Sequence, residues 1–381
     1  MNTQHVDALA SVINDVVKPA ASGTDRSGEF PRASLDALSQ AGLLGMVSSP
    51  EVGGAGAGLA AAAGVVEQLA GACGSTAMIV LMHYAAAATI EAHGPRGIRE
   101  EIAAGKHLTT LAFSEAGSRS HFWAPLGTAA EADGDVRLDA QKSWVTSAGH
   151  VDSYVWSSRP LRTAGPLTLW LVPADTAGFS VQNTFDGLGL RGNASSPVRA
   201  DNVRVPPGAM LGDDGGGLDI ALDAVLPWFL VLNAAFSLGI AEAVTAEAAG
   251  HLTRTRLAHL GATLAEQPVS RLGYARMRLR TDEIRAFLDT TLSAVASGRP
   301  EATLRVLEVK ALAAEAAGEV ADQAMRLCGG SAFRKELGIE RHFRDSLAAR
   351  VMAPTTEALL DFVGRVASGL PLFDEGAWGA R

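Results

Sequence analysis

Apolar and polar positions recur with two different periods along this chain, and the switches between them divide it into three. From residue 1 to about 107 the apolar residues follow helical spacing, with Gly and Pro as punctuation. Val6, Leu9, Val12, Ile13 and Val16 form one stripe interrupted by acids. Phe30-Pro31, Leu35, Leu38 and Gly42-Leu43-Leu44-Gly45 read as a short amphipathic helix ended by glycine. A turn at Gly53-Gly54-Ala55-Gly56 leads to two long, nearly uncharged helices over 59–72 and 75–92. From about Leu108 to Val205 the runs shorten to strands at 108–113, 136–138, 153–158, 167–172, 179–181 and 198–205. Turns such as Ala132-Asp133-Gly134-Asp135 and Pro173-Ala174-Asp175 separate them. After Leu218 the helical period returns: an uncharged segment at 224–241, then helices over 243–257, 264–297, 302–328 and 345–369. Four long helices with short joins predict an antiparallel bundle. The fold class expected is α+β. An N-terminal helical domain (1–107) precedes a central β-barrel or β-sandwich domain (108–208) and a C-terminal four-helix bundle (209–381).

Composition narrows the class. The chain has 381 residues, 48% of them hydrophobic and 19% charged, enough to bury large cores in two or three domains. A formal charge of −9 argues against non-specific nucleic-acid binding. Two cysteines, Cys73 and Cys328, make no disulfide framework and lack metal-ligand spacing, so no metal site is expected and a reduced, cytoplasmic setting fits. Residues 224–241 approach membrane-spanning length, but Pro227, Asn233, Ser237 and Gly239 interrupt them, and Asp223 and Glu242 flank them without a basic anchor. A helix buried on all sides is expected there, not a membrane span.

The stretches that carry chemistry lie in the middle region. One is Phe113-Ser114-Glu115-Ala116-Gly117-Ser118-Arg119-Ser120-His121-Phe122-Trp123; the other is Lys142-Ser143-Trp144-Val145-Thr146-Ser147-Ala148-Gly149. Both place small hydroxyl residues and glycines at strand ends. Hydroxyls beside Gly let the backbone approach a planar ligand and hydrogen-bond its edge. A neighbouring Trp supplies a flat apolar wall. This chemistry suits a flavin better than a phosphate loop.

The two stretches resemble the flavin-binding segments of the acyl-CoA dehydrogenase superfamily, a Thr-Glu-Pro-Gly-Ala-Gly-Ser-Asp loop followed by a Trp-Ile-Thr strand. Ser114, Glu115, Gly117 and Ser120 take the Thr, Glu, first Gly and Ser positions, and Trp144-Val145-Thr146 takes the strand. Ala116, Arg119 and His121 depart from it, making a bulkier and more basic loop. Asp186-Gly187-Leu188-Gly189-Leu190-Arg191-Gly192 resembles the family's Gly-Leu-Arg-Gly turn, and Arg326-Leu327-Cys328-Gly329-Gly330 its Gln-x-Leu-Gly-Gly turn.

The resemblance implies FAD between the β-domain and the bundle, completed by a second subunit of a homodimer or homotetramer. Ser114 would then meet the pyrimidine edge and Thr146 the N5 side, with Trp144 packed on the ring and Ser120 near a phosphate or the substrate. Arg326, Gly329 and Gly330 would meet the pyrophosphate across the subunit interface, and Thr355 would help hold the cofactor. Arg254 and Arg256 sit where an Arg-x-Thr-Phe segment grips FAD, here without the Phe; a solvated helix face is the alternative. His83 and Tyr84 lie on a helix that borders the family's substrate cavity, although a lone His in an apolar helix is more often a satisfied core residue.

One absence shapes the functional reading. Acyl-CoA dehydrogenases use a carboxylate to remove the α-proton of a thioester. Counting from Arg344-Asp345, its usual position holds Ala353, followed by Pro354; the alternative position, aligned on Gly239, holds Phe229. Neither side chain accepts a proton. The favoured reading is therefore a flavin-dependent oxygenase using O2, acting on an acyl-CoA thioester or an aromatic intermediate of secondary metabolism. Its flavin is either held tightly or supplied reduced by a reductase partner. Ser118, His121 and His83 are its candidate hydrogen-bonding catalytic groups. A thioester dehydrogenase with its base elsewhere, and a non-catalytic flavin-binding subunit, remain as alternatives.

Overall fold

The computed structural model describes residues 3–118 and 121–373. Ser120, one of the expected cofactor contacts, lies outside them. The N-terminal helices are α1 (Thr3–Val12), α2 (Lys18–Ser27), α3 (Arg32–Gln40), α4 (Leu59–Ala72), α5 (Gly74–His93) and α6 (Arg96–Ala103). Their boundaries follow the punctuation: Gly28 caps α2 with a left-handed φ of 71°, and α4 begins just after the glycine-rich turn. The α5 helix is buried almost all round, which explains why its sequence shows no polar face.

Eight strands follow: β1 (Thr109–Ala112), β2 (Thr128–Ala132), β3 (Asp135–Val145), β4 (Ser153–Ser158), β5 (Thr168–Pro173), β6 (Phe179–Val181), β7 (Ser196–Val205) and β8 (Met210–Leu211). They form two four-stranded sheets, ordered β1-β4-β5-β8 and β2-β3-β7-β6. Every residue of β4 is buried, whereas β7 alternates buried and exposed positions. Strand β2 (TAAEA) escaped the sequence reading because alanines give it no β-branched or aromatic signal. Strand β3 runs on to Val145, through residues read as a loop, because its partner β7 continues the ladder past a register shift.

The C-terminal part contains α7 (Gly217–Ile220), α8 (Leu226–Arg254), a small hairpin of β9 (Arg256–Leu257) and β10 (Ala262–Thr263), α9 (Pro268–Ala296), α10 (Ala302–Cys328), α11 (Ile339–Ser346), α12 (Ala348–Val351) and α13 (Thr356–Ala367). Two expectations change here. The uncharged segment and the helix read after it are one helix, α8, since nothing at 242–243 breaks it. The last expected helix is instead three pieces, interrupted by the Met352–Thr355 turn and its Pro354. The α8 helix is apolar and long enough to cross a membrane, yet 83% of its most apolar window is buried inside the protein. It packs on α4, α5, α9 and α10. Arg285 of α9 clamps Glu67 of α4 and Glu242 of α8, each at 2.6 Å.

Candidate active site

Two loops of the β-domain meet first. Past β1, the Ser143 N–H donates to the Ser114 carbonyl at 2.8 Å, and Glu115 bridges to Lys142. That bridge is also an ion pair of wholly buried side chains, with Lys142 Nζ 2.6 Å from Glu115 Oε1. The same ammonium donates to Ser157 O at 2.7 Å and Ser157 Oγ at 2.8 Å. The Glu115 carboxylate also accepts the amides of Leu126 and Gly127 at the start of β2. Burial pulls the Lys142 ammonium below its ordinary pKa, and Glu115 opposes it. One ion pair thus ties the first loop to β3, to the end of β4 and to the residues just before β2.

The second loop is aimed by backbone geometry. Between Lys142 and Val145 the β3–β7 register shifts, and Trp144 adopts φ +56°. A left-handed backbone is costly for a bulky residue and persists where surroundings impose it. Its result is an indole 72% exposed beside two buried strands, a flat wall facing outward next to Ser114. Thr146 is buried, its Oγ1 3.1 Å from Ser195 Oγ. The Ser143–Ser114 backbone bond thus brings the two expected loops side by side, with Trp144 turned to solvent and the Thr146 hydroxyl turned to Ser195.

The three proposed catalytic groups fare differently. His83 needs correction: it is fully buried, with Nε2 3.1 Å from Leu44 O and Nδ1 accepting the Thr109 amide. Burial lowers its pKa to about 4. It fastens α5 to β1 and faces no cleft. Ser118 turns its hydroxyl back to Glu115 O at 3.1 Å, closing its own turn. His121 is exposed, its Nδ1 3.0 Å from Ser118 O and its ring edge-on to Trp123. Trp123 in turn packs against Phe362 and Phe373, so the C-terminal segment covers this loop.

The glycine turn at 187–192 locks onto α11. Leu190 N donates to the buried Asp345 at 2.7 Å, and Arg344 reaches Leu188 O at 3.0 Å while pairing with Asp25 at 2.7 Å. From there the chain reaches the Met352–Thr355 turn. Lys310 of α10, fully buried, donates to Met352 O at 3.1 Å and Pro354 O at 2.8 Å. Burial draws this ammonium down to about 7. Thr355 caps α13, accepting the Ala358 amide.

One expected base position lies in this turn, and the other is one helical turn from a residue that touches it. Ala353 lies in it, and Phe229 lies on α8 one turn before Asn233, whose Nδ2 is 3.8 Å from Met352 Sδ. Phe229 is 6% exposed; Glu357, the next acid along the chain, is exposed on α13. Sequence reasoning missed Asn233 and Lys310. Their signal was there: one amide in an uncharged stretch, and one lysine within an alanine-rich helix.

The remaining expected cofactor residues sit elsewhere. Arg254 ends α8, about 37 Å along the helix from Phe229 at the usual rise per residue. Arg256 donates to Gly261 O in the β9–β10 hairpin. Arg326 pairs with Asp322 at the end of α10, where Gly329, at φ +54°, and Gly330 follow. Within one chain these residues do not join the Ser114–Trp144 site.

Three family models match in chain order: "Acyl-CoA dehydrogenase, N-terminal domain" over residues 2–105, "middle domain" over 110–203 and "C-terminal domain" over 215–368. The chain belongs to the acyl-CoA dehydrogenase family. The short-chain specific acyl-CoA dehydrogenase of human mitochondria is 29% identical over 349 residues, covering 89% of this chain and 83% of that protein. Butyryl-CoA dehydrogenase from Megasphaera elsdenii superposes with a TM-score of 0.90 at 22% identity, covering 97% of this chain and 99% of that one. The prolyl acyl carrier protein oxidase AnaB has the same fold at 18% identity, with a TM-score of 0.87 and coverage of 96% and 99%. Counted on the motifs of the sequence, the two positions expected for a base hold Ala353 and Phe229.

Proposed function

We propose that this chain is an FAD-dependent oxidoreductase that oxygenates its substrate rather than desaturating an acyl thioester by α-proton abstraction. The observation that carries this reading is that the two expected base positions hold Ala353 and Phe229, neither of them a carboxylate, while Asn233, one helical turn from Phe229, touches Met352 beside Ala353. The β-domain offers FAD an outward indole on an imposed left-handed backbone, with the Ser114 carbonyl held by the neighbouring Ser143 amide and Thr146 two residues on. Bound FAD supplies the two-electron carrier that reacts with O2. Of the O2 molecule, one atom enters the substrate and the other leaves as water, with two electrons drawn from a reductase partner. The chain's own part is to orient and to keep water out. With FAD bound, Trp144 would cover one face of the ring, His121 would present a hydrogen-bonding edge beside the loop, and Phe229 and Trp123 would make the surroundings apolar.

Arg254, Arg256, Arg326 and the Gly329-Gly330 turn are suited to the phosphates of FAD bound by a second subunit. A homodimer or homotetramer is part of this proposal, since those residues would complete the site of a second subunit. A thioester dehydrogenase remains the second reading, favoured by the 29% identical short-chain relative.

Anaerobic mixing of the holoenzyme with butyryl-CoA separates the two. Oxygenation predicts a flavin that stays yellow, together with 18O from labelled O2 in the product of aerobic turnover with a reductase. Bleaching of the flavin by butyryl-CoA, with crotonyl-CoA formed, would overturn the proposal.

A further inference from the structure

Among the described residues, Asn233 Oδ1 is a buried oxygen without a hydrogen-bond partner, on a side chain with no solvent exposure. Its Nδ2 has only a long contact, 3.8 Å to Met352 Sδ. A buried carboxamide left this way is costly, because its lost hydration is not replaced. The rest of α8 shows what satisfaction looks like: Ser237 donates to Asn233 O at 3.0 Å, and Thr245 meets Thr281 at 3.1 Å. Among the described residues of α8, Asn233 Oδ1 shares this state only with Glu247 Oε2, whose carboxylate lies near His342, whereas Asn233 has no side-chain hydrogen-bond partner short of the long Met352 contact.

Its position says what it faces. Asn233 lies one helical turn, about 6 Å, beyond Phe229 and on the same side of α8. It touches Met352, the residue before Ala353. The side chain therefore sits beside the Met352–Thr355 turn, next to both positions where a base is expected. A second orphan, Thr356 Oγ1, is buried at the other end of the same turn. Lys310 does not satisfy Asn233, since its ammonium is committed to Met352 O and Pro354 O.

We infer that Asn233 recognises a polar acyl group, accepting a hydrogen bond from a hydroxyl borne by a short acyl thioester. A plain hydrocarbon chain would bury the carboxamide against methylene groups and leave both of its ends unmet. A hydroxyl one or two carbons from the thioester carbonyl would donate to Oδ1 and accept from Nδ2. This inference rests on the family's thioester site being the one used here, and it is independent of whether the chemistry is oxygenation.

Calorimetric titration of the FAD holoenzyme tests it without turnover, using 2-hydroxybutyryl-CoA, 3-hydroxybutyryl-CoA and butyryl-CoA and the matching pantetheine thioesters. In the wild type, one hydroxyacyl thioester should bind at least about tenfold more tightly than its butyryl counterpart, the worth of one well-formed hydrogen bond. In Asn233→Val that preference should vanish, with butyryl thioester binding unchanged or tightened. Asn233→Asp serves as a second variant that keeps an acceptor, and it should retain the preference. Retained flavin absorbance and an unchanged Tm show that each variant is folded. Equal binding of all thioesters by the wild type, a preference that survives in Asn233→Val, or no binding of any thioester would overturn the inference. If butyryl-CoA bleaches the flavin while the hydroxyl preference holds, only the oxygenation proposal falls.

Discussion

The two walls of the site are built on opposite principles. On the β-domain side every charge is matched: Lys142 has a carboxylate, a carbonyl and a hydroxyl around it, and Glu115 has an ammonium and two amides. On the helical side the acid is missing from both of its usual places, and buried polar atoms of Asn233 and Thr356 go unpaired. The first wall is a support that tolerates no change. Among the described residues the second holds no ion pair at its centre, and its unmet polar atoms lie beside the turn that carries Ala353. Holding a ring and choosing a reaction are thus separable tasks in this fold.

Breaking the first wall should have the largest effect. Lys142→Met leaves the Glu115 carboxylate buried without its ammonium, a loss of about 3–5 kcal/mol measured by denaturant unfolding. A loss under about 1 kcal/mol would mean that Glu115 takes up a proton or water instead. Rebuilding the second wall comes next. Ala353→Glu returns a base to its family position and should raise anaerobic flavin reduction by butyryl-CoA about 100-fold, the lower range for general-base catalysis. No gain would show that the Met352–Thr355 turn no longer aims a side chain at the α-carbon.

Lys310 sharpens the contrast through pH. Its folded pKa, about 7, lies below the unfolded value, so between pH 7 and about 10 the unfolded chain holds a proton that the native chain lacks. Stability should rise with pH across that window by up to about 1.4 kcal/mol per unit and flatten below pH 7. In Lys310→Met this contribution should be absent from chemical unfolding curves taken at several pH values. Trp144→Ala should change apoprotein stability by less than about 1 kcal/mol, because its indole is already in solvent, yet weaken FAD binding about tenfold. Arg326→Ala closes the series. Its exposed pair with Asp322 is worth at most about 0.5 kcal/mol, so only FAD affinity in the oligomer should register the change.

Much of the fold was legible because the hydrophobic period changes sharply near residues 108 and 218. What was not legible had local causes. Ala-rich β2 lacks strand propensity, and the extension of β3 depends on β7, some sixty residues on. At the site, Ser114, Trp144 and Thr146 could be read because a linear motif carries them. The Glu115–Lys142 pairing could not, since nothing local says which buried charges will meet. His83 looked chemical by type and proved structural by its partners, Leu44 O and Thr109 N. Asn233 went unremarked, except as an interruption of an apolar run, because its meaning depends on which residue of a distant turn it touches.

Gly239 of α8 lies against the Glu67 carbonyl of α4, where even one added carbon would collide. Helices from the N-terminal and C-terminal domains are thus seated backbone to backbone. Anyone building chimeras by grafting a relative's C-terminal bundle onto this chain should transplant α4 with it, since the seam between the halves runs through that helix and not at residue 208.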